Sequence, residues 1–146
     1  MKRIFLIVFL PLILVILSCD KEKSTSKKLN GDWELKQYKI TLLDGISEFA
    51  VCTGQLKIST TDFEDFNNSF MLQLNYEFPS ITGSSIETGY LRIKQKGDFM
   101  DASYRDLGNT ETHVLEYRIM VLNKTDLQIE YRDTNNLVNY LTFRKI

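Results

Sequence analysis

Hydrophobic and polar residues alternate along most of this chain, and a period of two dictates extended strands. Phe70, Leu72, Leu74, Tyr76 and Phe78 interleave with Met71, Gln73, Asn75 and Glu77. Leu115, Tyr117, Ile119 and Val121 interleave with Glu116, Arg118 and Met120, and Leu127, Ile129 and Tyr131 with Gln128, Glu130 and Arg132. Successive side chains of a strand point to opposite faces, so each run places one face in a core and the other in water. Eight such segments are expected, over 32–43, 54–61, 68–78, 86–95, 98–104, 112–122, 125–132 and 137–145. Lys96-Gly97-Asp98 and Asn123-Lys124-Thr125 read as short hairpin loops, and residues 79–85 and 133–136 as longer ones. The stretch between Leu43 and Gly54 lacks a period and reads as an irregular crossing. Residues 61–68 offer one short helical turn, and no longer helix is expected in the domain. Short connections favour pairing in chain order. Eight strands then close most simply into an antiparallel up-and-down barrel, which leaves no open edge. The expected fold class is all-β. The interior of an eight-stranded barrel is either filled by side chains or holds one small ligand, and both outcomes stay open here.

The N-terminus follows a different rule. Met1-Lys2-Arg3 precedes an apolar run from Ile4 to Leu17, broken only by Pro11. A basic start and an apolar stretch of this length fit a secretion signal, and fall short of the ~20 residues of a spanning helix. The run ends Ile16-Leu17-Ser18-Cys19, which resembles the lipobox of bacterial lipoproteins. That resemblance implies cleavage after Ser18, a diacylglyceryl group on the Cys19 sulfur and acylation of the new amine, palmitate being the expected chain. Each buried methylene contributes about 0.8 kcal/mol, so two or three chains on one cysteine hold a protein to a bilayer for good. The division expected is a signal peptide over 1–18, a lipidated cysteine and flexible polar tether over 19–28, and one domain over 29–146. The place expected is the cell envelope, with a lipid anchor in the outer membrane.

Charge and cysteine content narrow the partners. The net charge is −1, and loss of Lys2 and Arg3 with the signal leaves a mildly acidic mature chain. Nothing in that balance suits nucleic acid or an anionic lipid surface. With Cys19 taken by lipid, Cys52 stands alone and has no intramolecular disulfide partner. It is expected to be buried.

The opening Leu29-Asn30-Gly31-Asp32-Trp33, the late Leu127-x-Ile129-x-Tyr131 and the closing Phe143-x-Lys145 resemble the lipocalin-like domain of small bacterial lipoproteins. A Gly-x-Trp entry to the first strand is the lipocalin signature, and in that family a basic residue of the last strand covers the Trp. The resemblance gives Gly31 and Trp33 a barrel-closing role and makes Arg144 the covering cation. The family's second motif, Thr-Asp-Tyr, stands here as Thr125-Asp126-Leu127. The family implies the barrel and a tendency to bind small apolar molecules. On that reading Phe70, Leu72, Leu74, Tyr76, Tyr117, Tyr131 and Phe143 line a cavity. The plainer reading makes these residues, with Phe78 and Tyr140, solid core.

Catalytic chemistry finds little support. A lone His113 makes no histidine metal cluster. Cys52 with His113 makes a poor nucleophilic pair, and Cys52 reads better as a small hydrophobe. Asp62, Glu64 and Asp65 lack the spacing of a calcium loop. Glu116 and Glu130 fall on the solvent face of their strands. No enzyme activity, metal or cofactor is expected. The function expected is a membrane-anchored lipoprotein whose barrel binds a small apolar ligand. The alternative is a solid barrel that docks a protein partner of the envelope, of unknown identity.

Overall fold

A computed structural model describes residues 21–61, 68–79, 81–106, 108 and 110–146, with Asp106 described in its backbone alone. The signal, Cys19 and the acidic group Asp62, Glu64 and Asp65 lie outside the described residues. A helix, α1, covers residues 21–29. Among the described residues nine strands follow: β1 (Gly31–Thr41), β2 (Ser47–Phe49), β3 (Val51–Thr60), β4 (Asn68–Glu77), β5 (Thr82–Lys94), β6 (Phe99–Asp106), β7 (His113–Leu122), β8 (Asp126–Arg132) and β9 (Val138–Lys145). A 3-10 turn, Gln95–Gly97, joins β5 to β6.

Every strand from β3 to β9 pairs antiparallel with the next, β1 pairs β3, and β9 returns to β1 over Trp33↔Lys145 to Thr41↔Val138. The sheet is therefore a closed eight-stranded antiparallel barrel, with β2 as a short addition beside β1 at Lys39↔Phe49. The crossing read as irregular after Leu43 thus contains β2 and the start of β3. Its sequence hid them because Phe49 and Val51 are apolar yet face solvent. The β4–β5 connection is also tighter than expected. Phe78 and Ile81 exchange backbone bonds of 2.8 and 3.3 Å, so β5 begins at Thr82.

The alternation decides which side chains meet inside. Trp33, Leu35, Leu56, Ile58, Phe70, Leu72, Leu74, Leu91, Ile93, Met100, Ala102, Leu127, Ile129, Leu141 and Phe143 are all buried. They fill the half of the barrel nearer the ends of β3 and β9. Burial of a Leu, Ile or Phe contributes about 1.5–3 kcal/mol each, so this solid half carries most of the fold's stability.

α1 lies across that closed end, and here the expected tether is corrected. Residues 21–28 read as polar and flexible, but they continue into a helix whose one face, Thr25, Ser26 and Leu29, is buried on the barrel. Leu29 lies four residues after Thr25 and three after Ser26, the spacings that share one helical face. It passed unnoticed because Thr25 and Ser26 are polar and find polar partners below. Ser26 Oγ donates to Asn68 Oδ1 at 2.7 Å inside the interface. Thr25 packs directly on Gly97, whose φ of +87° and missing Cβ allow the contact. The Trp33 indole donates to the Leu29 carbonyl at 2.8 Å, which ties β1 to the helix end.

The covering cation is corrected too. Lys145, not Arg144, sits over the Trp33 ring, with Nζ 4.8 Å from its centroid. Lys145 Nζ also donates to the carbonyls of Lys28 at 3.2 Å and Asn30 at 2.6 Å. Arg144 projects outward beside Asp126, at 3.9 Å. Period two explains the exchange: Leu141 and Phe143 face in, so Lys145 faces in and Arg144 cannot. Gly31 has a φ of +132°, and a Cβ there would sit 2.6 Å from Lys145 Cε, so the lysine needs this glycine to reach the ring.

Candidate functional site

Among the described residues no helix crosses the opposite end of the barrel, and there the lining changes from aliphatic to aromatic and polar. β1, β4 and β8 deliver Tyr38, Tyr76 and Tyr131 upward to this mouth, and β7 and β9 start from it with Tyr117 and Asn139 on their inner faces. The rings pack edge to face. Tyr38 lies 5.3 Å from Tyr76 and 5.0 Å from Phe78 between centroids, and Tyr117 lies 5.1 Å from Tyr131. Offset and edge-on contacts of this kind satisfy the ring quadrupoles and hold the rings in place.

Three polar groups link the adjacent strands β8, β9 and β1 at this end. Tyr38 Oη donates to Asn139 Oδ1 at 2.8 Å, and the Tyr38 and Tyr131 hydroxyls lie 3.2 Å apart. Each hydroxyl has one proton. Since Tyr38 gives its own to Asn139, Tyr131 donates to Tyr38. Asn139 Nδ2 donates in turn to the Leu137 carbonyl at 3.1 Å. Burial holds the Tyr117 and Tyr131 hydroxyls well above their ordinary ionisation range. It raises Tyr38 as well, and the Tyr131 hydrogen bond works against that rise.

Glu87 is the unexpected member. It sits midway along β5 and pairs with Leu72 on β4, so its side chain shares the inner face with that buried leucine. Ser85 Oγ donates to Glu87 Oε1 at 3.5 Å. Its charge adds to the rise in the ionisation of Tyr38, Tyr117 and Tyr131, after burial as the main cause. On a closed barrel an inward side chain is wetted either through the wall or through the mouth. Two depressions do mark the outer wall. One of about 530 Å³ crosses β4 to β6 beside Phe70, Gly89 and Tyr104, and one of about 500 Å³ lies at the rim beside Cys52, Tyr76 and Gly83. Neither is lined by Glu87 or Tyr131, and both residues keep partial solvent access.

The expected cavity residues therefore divide. Tyr76, Tyr117 and Tyr131 reach the mouth half. Phe70, Leu72, Leu74 and Phe143 belong to the solid half, with Phe143 fully buried near the closed end. Tyr140 faces outward, where Lys39 Nζ covers its ring at 3.9 Å. Tyr38, Glu87 and Asn139 were missed. Tyr38 follows a bulge at Leu35/Gln37 that breaks the simple alternation of β1. Glu87 and Asn139 are polar at positions whose parity is inward, the one signal that would have exposed them. Cys52 is free but half-buried, not buried, and partial desolvation raises its thiol while a hydrogen bond with the Tyr38 backbone lowers it. His113 is partly exposed at the mouth, 5.6 Å from the Tyr104 ring. Among the described residues no group of three or more metal-ligating side chains comes together, and no helix is long and apolar enough to cross a membrane.

A collar of apolar side chains surrounds this mouth. Leu43, Ile46, Phe49, Val51, Ile81 and Val114 all stand at its rim, between 55 % and 79 % exposed.

No family model and no curated protein sequence matches the chain. Solved structures do. A redesigned β-barrel is similar at a TM-score of 0.50 and 16 % identity, covering 84 % of this chain and 95 % of that one. A fluorescence-activating β-barrel of de novo design matches at 0.50 and 9 %, over 83 % and 96 %. The redesigned barrel mFAP1, bound to DFHBI, matches at 0.50 and 15 %, over 83 % and 98 %. At these identities the likeness is one of fold.

Proposed function

We propose that this chain is a lipid-anchored, non-catalytic binding protein of the cell envelope that takes a small molecule with an apolar body into the mouth of its barrel. The observation that carries the reading is the mouth itself. Inward residues there keep contact with water and present aromatic faces and a few fixed polar groups, which is the composition of a small-molecule site. The redesigned barrel with DFHBI is a precedent for a ligand in a barrel of this kind. Native mass spectrometry on protein taken from its own membrane tests the reading. A small adduct released on denaturation is expected, and a bare protein mass counts against it.

The anchor sets the orientation. Two peptide steps separate Cys19 from the first described residue of α1, at most about 7 Å of chain. α1 is docked on the closed end, so a lipid on Cys19 holds that end to the bilayer and turns the mouth away. The same dye is placed on Cys52, at the rim, and on a Cys52→Ser/Lys124→Cys variant, since Lys124 is exposed on a closed-end hairpin. Energy transfer to an acceptor lipid should be stronger from position 124. Equal transfer sinks the orientation, and a chain absent from the membrane pellet sinks the anchor.

The apolar collar favours a second reading, a protein partner seated over the mouth. Exposed apolar patches of this kind mark interaction surfaces. On that reading the native spectrum shows a protein complex in place of a small adduct, and Leu43→Asp with Val51→Asp dissolves it.

A further inference from the structure

The charge of the lumen narrows the ligand. In the mouth half, Lys36, Arg105 and Arg132 are exposed on the outer face, where Arg105 Nε donates to Thr112 at 3.0 Å and Arg132 reaches Asn136 at 3.4 Å. Lys39 lies outside against Tyr140. Among the described residues, no lysine or arginine of this half faces inward. Carboxylates do. Glu87 shares the inner face with Leu72. Glu48 pairs with the buried, inward Ile40, and its Oε2 is buried with no hydrogen-bond partner among the described residues. His113 is the one imidazole at the rim.

A narrow, low-dielectric lumen of one sign concentrates ions of the other sign. The rings of Tyr38, Tyr76, Tyr117 and Tyr131 add their negative faces to the same field, and aromatic walls of this type bind ammonium groups. A small inorganic cation is less suited, because no set of three carboxylate, histidine or cysteine ligands converges among the described residues.

We infer that the mouth of the barrel recognises an organic cation, a protonated amine or quaternary ammonium carried on an apolar or aromatic body. The inference rests on the small-ligand reading above and assigns its chemical class. Glu87 supplies the counter-charge, the tyrosine rings hold the body, and Glu48 adds to the field at the rim.

Three probes of similar shape separate charge from size: 2-phenylethylamine, 2-phenylethanol and phenylacetate. Calorimetry on the full chain in a non-ionic detergent should show the amine binding at least about tenfold more tightly than the alcohol, with phenylacetate weakest. Glu87→Gln should remove the preference by bringing the amine's affinity down to the alcohol's. Added salt should shrink the preference in the native protein, because a charge-based term is screened. That arm needs no variant and stands even if Glu87→Gln fails to fold. An alcohol bound as tightly as the amine overturns the cation while the small-ligand reading survives. A preference that persists in a folded Glu87→Gln/Glu48→Gln protein also overturns it. If none of the three binds at millimolar concentration, the small-ligand reading falls with it.

Discussion

Trp33 has no exposed surface, and its neighbours at the closed end include the Leu29 carbonyl, the Lys145 ammonium and the strands β3 and β9. Truncating a buried Trp costs about 3–5 kcal/mol, comparable with the whole stability of many small domains. Trp33→Ala should therefore unfold most of the population in urea at room temperature. The two neighbouring cations should behave differently. Lys145→Ala removes a cation–π contact worth about 0.5–2 kcal/mol and leaves the Lys28 and Asn30 carbonyls to water. Arg144→Ala removes an exposed pair at 3.9 Å from Asp126, and surface changes of that kind stay within about 0.5 kcal/mol. Urea midpoints compared at constant slope decide the matter. A larger loss at Arg144 than at Lys145 would contradict the geometry.

α1 has a hydrophobic face of one residue, Leu29, and two buried polar ones, Thr25 and Ser26. Such a helix has little reason to form alone, since short isolated helices are marginal in water. It is held by tertiary contact. Leu29→Ala should cost about 2–5 kcal/mol. Ser26→Ala should cost about 1–3 kcal/mol, because it strips a partner from fully buried Asn68. Removing residues 1–20 should leave the melting temperature in place, and removing 1–29 should lower it sharply. Equal melting of the two truncations would mean that the helix contributes nothing. The contrast with the strands shows what the sequence makes legible. All eight barrel strands announce themselves by alternation, and their ends fall within a few residues of the observed ones. Their closure follows from short loops. α1 does not announce itself, because two of its three buried side chains are a serine and a threonine whose value depends on Asn68 and Gly97, distant in sequence. The mouth residues are hidden for the same reason. A glutamate or asparagine at an inward position looks like an interruption of a strand until the register of its neighbours is known.

The barrel as a whole divides into a dry aliphatic half and a wetted tyrosine half, and that division has a consequence at high pH. Of seven tyrosines, Tyr117 and Tyr131 are held well above their ordinary ionisation range by burial, and Tyr38 is raised as well. A buried phenol stays neutral in the folded chain, while the same phenol in the unfolded chain loses its proton near pH 10. The folded state then binds more protons than the unfolded one, so stability falls as pH rises above about 10 and is untouched below it. The slope is about 1.4 kcal/mol per pH unit for each tyrosine that stays neutral. Tyr117 contributes fully, being almost without exposed surface, and Tyr131 and Tyr38 add to it. The domain should therefore unfold in alkali in a single step. Part of the tyrosinate absorbance should appear only with that step, at the pH where the far-ultraviolet strand signal is lost. Tyr117→Phe keeps the ring and removes the ionisable hydroxyl, so it should move the alkaline midpoint to higher pH while leaving the melting temperature near neutrality little changed. If all the tyrosine absorbance develops smoothly below the unfolding transition, the hydroxyls of Tyr38, Tyr117 and Tyr131 reach water freely in the folded chain, and the burial that raises them is wrong.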